Sequence, residues 1–166
     1  MYLRYFKRGV IRMNAIVSVD KKWGIGYQND LLFHVPEDMR YFKDMTTGKA
    51  VVMGKQTFYS LPNQRPLTGR SNIILPNDKG LQINGATVCH GLDELLVLLE
   101  VIKTDNIFVI GGQAVYELML PYCSIAYVTQ FYTIAAADKH FPNLANNAEW
   151  ELIERPKPAV SQGLTF

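Results

Sequence analysis

Short apolar runs alternate along this chain with segments of helical periodicity. Nearly continuous apolar runs, typical of strands buried on both faces, lie at 15–19, 50–53, 72–75 and 107–110. Helices are predicted at 36–45, 54–61, 92–103 and 113–120, and shorter strands at 86–89, 125–129, 150–153 and from residue 163 onward. Strands and helices that alternate through short links predict a single α/β domain with a largely parallel sheet.

The first predicted helix places a carboxylate in its apolar face. At helical spacing the inward face carries Val35, Asp38, Met39, Phe42 and Met45, and the outward face carries Glu37, Arg40, Tyr41 and Asp44. An ionised carboxylate in an apolar wall either takes up a proton or needs a cationic, hydrogen-bonding ligand. Asp38 is therefore predicted to handle a proton or to anchor a ligand. The alternative is that it complements the helix dipole, although Glu37 already does so from the solvent side.

Composition favours small-molecule chemistry. The 166 residues carry 17 Lys+Arg and 15 Asp+Glu, and a net charge of +2 is too small to indicate a nucleic-acid or membrane surface. No apolar run reaches the roughly 18 residues of a membrane span. Cys89 and Cys123 lack ligand spacing, which favours reduced core thiols in a cytoplasmic protein over a disulfide. The histidines show no metal-ligand spacing, and no metal is expected.

The first twelve residues differ from the rest of the chain. Residues 1–12 mix Arg and Lys with Tyr and Phe, and they contain no continuous apolar core like that of a signal peptide. They are interpreted as an N-terminal extension, with disorder as one interpretation and Met13 as an alternative start. The folded domain is assigned to residues 13–166.

Two strand ends carry similar glycine-containing turns. Gly54-Lys55 follows one buried strand and opens a helix, and Gly111-Gly112 does the same after another. In open α/β sheets, ligands bind beyond the carboxyl ends of strands, where helix N-termini offer N–H donors to phosphate. Two such ends suggest a diphosphate, with Lys55 adding a charge for a further phosphate. Neither turn is a known phosphate-binding fingerprint, so a purely structural role for each glycine is the alternative.

Five sequence blocks together are similar to one family. They are Gly24-Ile25-Gly26, Asn29 to Met39, Lys49 to Thr57, Arg65-Pro66-Leu67 with Gly69-Arg70, and Ile110 to Tyr116. In this order, within Ala15 to Phe166, they resemble dihydrofolate reductase, and the combination is far more specific than any one block. The resemblance implies a mixed, mostly parallel, twisted eight-stranded sheet flanked by helices. It also implies reduction of 7,8-dihydrofolate to 5,6,7,8-tetrahydrofolate by hydride transfer from NADPH, in support of one-carbon metabolism and thymidylate and purine synthesis.

The resemblance gives Asp38 a catalytic role, because an ionised carboxylate accepts hydrogen bonds from the adjacent amino group and ring N–H of a pterin. The substrate contacts that it implies are Ile16, Asp38, Met39, Phe42, Leu67, Arg70, Ile110, Tyr116 and Thr129. Thr129 matches a hydroxyl that supports the carboxylate, and Arg70 matches the arginine that clamps the α-carboxylate of the folate's glutamate. Plain core is the alternative for the apolar residues, and a solvated surface position is the alternative for Arg70.

The cofactor contacts implied by the resemblance cluster at strand ends and helix starts. They are Ser18, Ile25, Gly26, Gly54, Lys55, Gln56, Thr57, Leu75, Pro76, Asn77, Ile110, Gly111, Gly112, Gln113, Ala114, Val115 and Tyr116. Many family members have arginine or serine near the adenosine 2′-phosphate, where this chain has Pro76, Asn77 and Ala114. Lys55 is therefore the main cation expected there. A cytoplasmic monomer that binds dihydrofolate, without nucleic-acid or membrane partners, is expected.

Two further departures from the family pattern bear on the site and the sheet. Leu32-Phe33 stands where the family usually has Pro-Trp, so an indole N–H that can hold an active-site water is missing. The chain reaches Phe166 inside the family's last strand, and that strand is expected to be incomplete.

Two other functions are alternatives to dihydrofolate reduction. One is a pyrimidine reductase of the riboflavin-pathway type, which shares the fold, and the other is a non-catalytic NADP-binding module. Asp38 on its helix and Arg70 together favour folate over the first. An incomplete sheet is what makes the second plausible.

Overall fold

The computed structural model describes residues 2–8, 13–76, 80–102 and 106–166. Asn77, predicted to contact the cofactor, and Lys103, predicted to end a helix, lie outside these residues. Within the described ranges, no helix is both long and apolar enough to cross a membrane.

Strands and helices alternate through the described residues. The strands are β1 (Leu3–Phe6), β2 (Met13–Val19), β3 (Gly24–Tyr27), β4 (Asp30–Leu31), β5 (Ala50–Gly54), β6 (Ser71–Leu75), β7 (Thr87–Val88), β8 (Ile107–Gly111), β9 (Cys123–Gln130), β10 (Lys139–His140), β11 (Glu151–Glu154), β12 (Val160–Ser161) and β13 (Leu164–Thr165). The α-helices are α1 (Pro36–Thr46), α2 (Lys55–Ser60), α3 (Leu92–Glu100) and α4 (Gln113–Met119). Short 3-10 turns lie at Pro62–Gln64, Leu120–Tyr122 and Leu144–Asn146.

An eight-stranded sheet organises the domain, in the order β11-β1-β9-β2-β8-β5-β6-β7. The strands β9, β2, β8, β5, β6 and β7 run parallel to one another, whereas β1 is antiparallel to both β9 and β11. The predicted single α/β domain with a mixed, mostly parallel sheet is therefore confirmed. The small sheets β10-β3-β4 and β12-β13 were not predicted as separate units.

The central strands form where the sequence is apolar on both faces. Ala15, Val17 and Val19 of β2 enter one buried cluster, and Ile16 enters another. Alternate side chains of a strand point to opposite faces, so the two clusters lie on the two sides of the sheet. Because both faces of β2 are covered, its sequence shows continuous rather than alternating apolar character.

Part of the segment that was interpreted as an N-terminal extension, residues 1–12, contributes a strand to the sheet. In place of a disordered segment, Leu3–Phe6 forms β1 between β9 and β11. Leu3 and Tyr5 are 5% and 3% exposed. The prediction missed β1 because its apolar pattern is short, contains Arg4 and is followed by Lys7 and Arg8, and basic residues in a sequence indicate a solvated segment.

The last predicted strand forms a two-stranded hairpin, which meets the extension of β9 through a hydrogen bond from the Tyr132 amide to the Thr165 oxygen. Leu164–Thr165 pairs with Val160–Ser161 in a hairpin, and the described residues reach eight strands in the main sheet because β1 lies beside β9. Phe166 is 4% exposed and packs with Phe131 and Val35 in a small third cluster. This cluster ties the hairpin to the residue that precedes α1.

The third cluster generates a stability prediction. Phe166→Ala should lower the free energy of unfolding by about 3 kcal/mol, because it removes a buried ring that packs 5.2 Å from the ring of Phe131. Urea unfolding followed by circular dichroism measures the change. Val160→Ala is the matched control on the same hairpin, where a 71% exposed side chain predicts a change within about 0.5 kcal/mol. Equal effects of the two variants would contradict the packing role of Phe166.

Candidate active site

Helix α1 carries an inward-facing carboxylate in its first turn. The helix begins at Pro36, whose fixed φ and missing N–H suit that position, after the extended N-cap residue Val35. Asp38 is 7% exposed, although its neighbour Glu37 is exposed to solvent. Because Glu37 already faces solvent near the positive end of the helix dipole, the burial of Asp38 needs a different explanation.

Two hydroxyl groups on adjacent strands hold this carboxylate. Ser18 of β2 donates to Asp38 Oδ2 at 2.5 Å, and Thr129 of β9 donates to Oδ1 at 2.6 Å. The strands pair in parallel with Ser18 opposite Thr129, so the two side chains lie next to each other on one face of the sheet. Ser18 was predicted to contact the cofactor. In the structure its hydroxyl forms a hydrogen bond with the Asp38 carboxylate, and the cofactor contact stays a prediction.

Burial and hydrogen bonding act in opposite directions on Asp38. Burial raises the pKa of Asp38 above its usual value, and the hydroxyls of Ser18 and Thr129 lower it by a smaller amount. A raised folded-state pKa means that the folded protein binds the proton more tightly than the unfolded chain does. The stabilising contribution of protonated Asp38 is therefore present at low pH and is lost as the pH rises through the folded-state pKa.

The buried stripe of α1 is rotated relative to the prediction. Met39, predicted to face inward, is 42% exposed, whereas Tyr41, predicted to face solvent, is half-buried. For Tyr41 the reason lies in the residue before β1, in a segment that was not predicted to join the sheet. The ring of Tyr2 stacks on that of Tyr41 with an interplanar angle of 6°, so the N-terminal segment covers this side of the helix.

Four of the predicted substrate-contacting side chains belong to one apolar cluster. Ile16 is buried in it, and Phe42, Leu67 and Ile110 pack against it while remaining partly exposed. Since Ile16 precedes Ser18 by two residues on β2, this cluster lies on the same face of the sheet as the Asp38 carboxylate. The structure therefore brings apolar walls and the acid together.

Tyr116 lies inside the protein. It is 3% exposed, and its hydroxyl donates to the backbone oxygen of Ile16 at 2.7 Å. Burial strongly raises the pKa of its phenol. In this structure Tyr116 ties α4 to β2, and the predicted contacts of Tyr116 with substrate and cofactor remain predictions.

Arg70 lies at the opposite end of α1 from Asp38. Its Nε donates to Thr46 Oγ1 at 3.2 Å, and one of its terminal nitrogens donates to the backbone oxygen of Thr68 at 2.8 Å. Thr46 belongs to the last turn of α1, where the helix dipole favours a cation. At 1.5 Å per residue, the eight-residue step from Asp38 to Thr46 corresponds to about 12 Å along the helix.

The two predicted glycine turns lie side by side. β5 and β8 are neighbours in the sheet, and Met53 pairs with Gly111. A Cβ on Gly54 would lie 3.1 Å from Val115, and one on Gly112 would lie 3.2 Å from Thr57 Oγ1. The starts of α2 and α4 are thus packed closely together at one edge of the sheet. Gly111 has a φ of +124°, which other residues rarely adopt, and the Gly111–Gly112 peptide bond is cis.

The other predicted cofactor contacts occupy β3, the end of β6 and the two short helices. Ile25 and Gly26 lie in β3, Leu75 ends β6, Pro76 follows it, Lys55, Gln56 and Thr57 begin α2, and Ala114 and Val115 lie in α4. Pro76 and Val115 are buried, whereas Gln56 and Ala114 are exposed. The Gln113 side chain contacts Glu117 and accepts a hydrogen bond from the His140 amide at 2.9 Å. These contacts connect α4 to β10.

Sequence reasoning missed Asp20, which organises the loop after β2. Asp20 is 1% exposed, and its carboxylate accepts hydrogen bonds from the amides of Lys22, Gly24 and Ala135 at 2.7, 2.8 and 3.1 Å. An acid that directly follows a buried strand is the sequence signal that could have identified it. The loop before β3 is therefore fixed to the segment after β9.

Comparison with known proteins places these features in a family. The family model for dihydrofolate reductase matches residues 12–163. Dihydrofolate reductase from Bacillus subtilis (strain 168) is 34% identical over 141 residues, which cover 85% of this chain and 81% of that protein. The enzyme of the same name from Staphylococcus haemolyticus is 31% identical over 147 residues, or 89% of this chain and 86% of that protein. Dihydrofolate reductase type 3 from Salmonella typhimurium is 37% identical over 131 residues, or 79% and 78%.

An α/β domain with an acid buried beside apolar walls and glycine turns at adjacent strand ends is an arrangement suited to a nucleotide-dependent reductase. The chain belongs to the dihydrofolate reductase family. The family's reaction, NADPH-dependent reduction of dihydrofolate, is the activity of this chain. The resemblance in the five sequence blocks is thereby confirmed.

The opposing effects on Asp38 generate a pH-dependent stability prediction. In the absence of ligands, Asp38→Asn should raise the thermal midpoint relative to wild type at neutral pH, because the buried charge is removed while an amide still accepts and donates hydrogen bonds. The difference should shrink toward acidic pH, where wild-type Asp38 is protonated. Calorimetry across pH measures it, with Asp44→Asn on the exposed side of α1 as control. A difference that does not change with pH would contradict the assigned pKa direction.

Proposed function

We propose that Asp38 is the carboxylate that binds and activates the pterin ring when this chain reduces 7,8-dihydrofolate to 5,6,7,8-tetrahydrofolate with NADPH. The observation that carries this role is the buried position of Asp38, where two hydroxyl donors partly replace its lost hydration. A ligand with N–H donors side by side completes the hydrogen bonding of such an anion.

The Ser18 and Thr129 hydroxyls leave the carboxylate able to bind a pterin. An ionised carboxylate has about four lone-pair sites, and each oxygen of Asp38 accepts one hydroxyl, which leaves a site on each for the ligand. The exocyclic amino group and the ring N–H of the pterin donate to these sites as a charge-assisted pair. The pair fixes the orientation of the ring, and orientation supplies much of the rate in hydride transfer.

Reduction at C6 of the pterin requires a proton at N5. We infer that Asp38 polarises the ring and raises the proton affinity of N5, while the proton itself arrives through water. Phe33 stands where the family usually has tryptophan, and its ring packs 4.3 Å from Phe131 without a hydrogen-bond donor for that water. The other polar groups near the pterin, including the Ser18 and Thr129 hydroxyls that hold Asp38, therefore have a larger share in orienting the water.

The neighbouring glycine turns fit a nucleotide with a diphosphate. NADPH, when bound, supplies the hydride. We propose that residues 111–115 at the start of α4 and Lys55, Gln56 and Thr57 at the start of α2 hold its phosphates. The two helix starts are adjacent, and helix N-termini offer backbone N–H donors to phosphate. Lys55 is the cation proposed beside the 2′-phosphate. The further proposed cofactor contacts are Ser18, Ile25, Gly26, Gly54, Leu75, Pro76, Ile110 and Tyr116, and Asn77 stays a prediction outside the described residues.

The apolar cluster forms the proposed walls of the substrate pocket. Ile16, Phe42, Leu67 and Ile110 lie on the same face of the sheet as Asp38, and the last three are partly exposed. Partial exposure leaves apolar surface for a ligand to cover, whereas a plain core position would be buried completely. Met39, whose side chain is 42% exposed, is proposed to contact the substrate in the same way.

The role of Asp38 is tested by its amide variant. Asp38→Asn should reduce turnover of dihydrofolate at neutral pH by about a hundredfold or more, because a neutral amide neither polarises the ring nor accepts from both donors. Activity should recover partly at low pH, where the substrate already carries its proton. Loss of cofactor absorbance with NADPH and dihydrofolate measures both rates. A variant that turns over at the wild-type rate at neutral pH would exclude this role.

The same assay separates the two competing functions. Any turnover of dihydrofolate excludes a non-catalytic NADP-binding module. Turnover of dihydrofolate without turnover of a ribosylaminopyrimidine excludes a reductase of the riboflavin-pathway type. Asp44→Asn, on the exposed side of α1, serves as the control for nonspecific effects on the helix.

Arg70 is proposed to bind the glutamate tail of the substrate. Asp38 and Arg70 lie at opposite ends of α1, as the pterin and the glutamate lie at opposite ends of folate. Arg70→Leu should raise KM for dihydrofolate about ten- to a hundredfold, the effect of losing a charge-assisted pair. A pterin without the glutamate should be affected little. The control is Arg65→Leu at an exposed position, and equal losses with both substrates would show that Arg70 acts through the end of α1 instead.

We also propose a cytoplasmic monomer whose partner is the small-molecule substrate, without nucleic acid. A net charge of +2 supports the lack of nucleic-acid binding. Cys89 and Cys123 are free and buried, which supports a reducing compartment. Size-exclusion chromatography with light scattering tests the oligomeric state.

A further inference from the structure

Strand β1 and the C-terminal hairpin occupy one continuous position along β9. Leu3, Arg4, Tyr5 and Phe6 pair in antiparallel register with Val128, Tyr127, Ala126 and Ile125, and the Lys7 amide donates to Ser124. If the strand is extended beyond Leu3 in the same register, Tyr2 lies opposite Thr129. The strand position three residues beyond Tyr2 then lies opposite Tyr132. The residue found there is Thr165, whose backbone oxygen accepts from the Tyr132 amide at 2.8 Å.

The hydrogen-bond directions agree with a shared register. Backbone groups of successive strand residues point to alternate sides, so Ser124 and Tyr132 point to the same side of β9. The intervening Phe131 amide points the other way and donates to Val19 of β2. Leu164–Phe166 and Tyr2–Phe6 are thus two segments of one interrupted strand, with space for one residue between Phe166 and Tyr2. The position between them lies opposite Gln130, next to Thr129, which donates to Asp38.

Both segments hold the first turn of α1. The Tyr2 hydroxyl donates to the backbone oxygen of Glu37 at 3.3 Å, and its ring stacks on Tyr41. From the hairpin, Ser161 Oγ donates to Glu37 Oε2 at 2.6 Å, and Phe166 packs with Val35. Glu37 is therefore held at both its backbone and its side chain, one residue before Asp38.

We propose that Tyr2 is a positioning residue for Asp38. In this proposal, residues 2–6 and residues 164–166 are the two halves of one strand, and this strand holds α1 against β9. The proposal rests on the catalytic role of Asp38. Burial together with the nearby charges of Asp38 and Glu37 raises the pKa of Tyr2 to about 12, which agrees with a neutral hydroxyl close to the carboxylate. The family model begins its match at residue 12, so β1 lies outside the matched segment.

Tyr2→Phe tests the positioning role because it keeps the ring and removes the hydroxyl. It should lower kcat/KM for dihydrofolate by about two- to tenfold and leave the dissociation constant for NADPH unchanged. The apparent pKa in the pH profile of kcat/KM should rise, because a displaced carboxylate loses the hydroxyls of Ser18 and Thr129 that lower its pKa. The control is Tyr5→Phe, on the same strand but on the opposite face, beside Trp23.

A change in the rate without a change in the pH profile, or equal effects of Tyr2→Phe and Tyr5→Phe, would show a merely structural role and overturn the proposal. Asp38→Asn, measured in parallel, separates this failure from a failure of the proposed function. If Asp38→Asn loses activity while Tyr2→Phe keeps the wild-type profile, the positioning role alone is wrong. If Asp38→Asn keeps wild-type activity, the catalytic role of Asp38 is wrong and the positioning role falls with it.

A permuted chain tests the shared register. In it, residues 13–166 come first and residues 1–12 follow, so that Met1 joins Phe166 to Tyr2 and every residue is retained. This chain should unfold cooperatively, with a thermal midpoint no lower than the original, and should reduce dihydrofolate. The matched control is the same permuted chain without Met1. The deletion shifts residues 2–6 by one position relative to β9, which turns Leu3 and Tyr5 to the wrong face of the sheet. Its midpoint should fall by about 10 °C. Equal midpoints of the two permuted chains, or an unfolded first chain, would refute the shared strand position.

Discussion

The site depends on the desolvation of one carboxylate. Water would solvate Asp38 better than the protein does, and the protein compensates with two hydroxyl groups and with the rigid placement of α1. Every neighbouring element contributes to this placement. β2 and β9 supply the donors, and Val35 and Pro36 set where the helix begins. In the proposed function, the lone-pair sites of the anion that Ser18 and Thr129 leave open are what would select a ligand with paired N–H donors.

The proposed binding surface consists of the glycine turns, the apolar walls and Arg70, and each is positioned for a different physical reason. The glycine turns are adjacent because β5 and β8 are parallel neighbours, and parallel strands bring their carboxyl ends to one edge. The apolar walls face Asp38 because Ile16 and Ser18 are two residues apart on one strand. Arg70 is bound by the last turn of α1, so a single helix sets the spacing between the acid and the cation.

Local patterns were sufficient for most of the fold and for the centre of the site. The continuous apolar runs predicted the central parallel strands, and the spacing around Asp38 predicted its inward direction. The sequence could not indicate that Tyr41 is covered, since this depends on Tyr2, which is distant in sequence. For the same reason β1 was missed, because a four-residue strand is stabilised by its two neighbours rather than by its own pattern. Asp20 was missed because its amide partners include Ala135, which no local motif connects to it.

The position of β1 between β9 and β11 has a consequence for biosynthesis. Leu3 pairs with Val128 and Arg4 with Glu154, so the segment that leaves the ribosome early finds its partners only after most of the chain has been made. During translation the apolar side chains of Leu3 and Tyr5 therefore lack their native neighbours. The pairing of β1 with β9 and β11 joins segments that are far apart in sequence, and contacts of this kind form slowly. Tyr2, whose hydroxyl donates to the backbone oxygen of Glu37 beside Asp38, therefore reaches its native surroundings only after β9 and β11 have been synthesised.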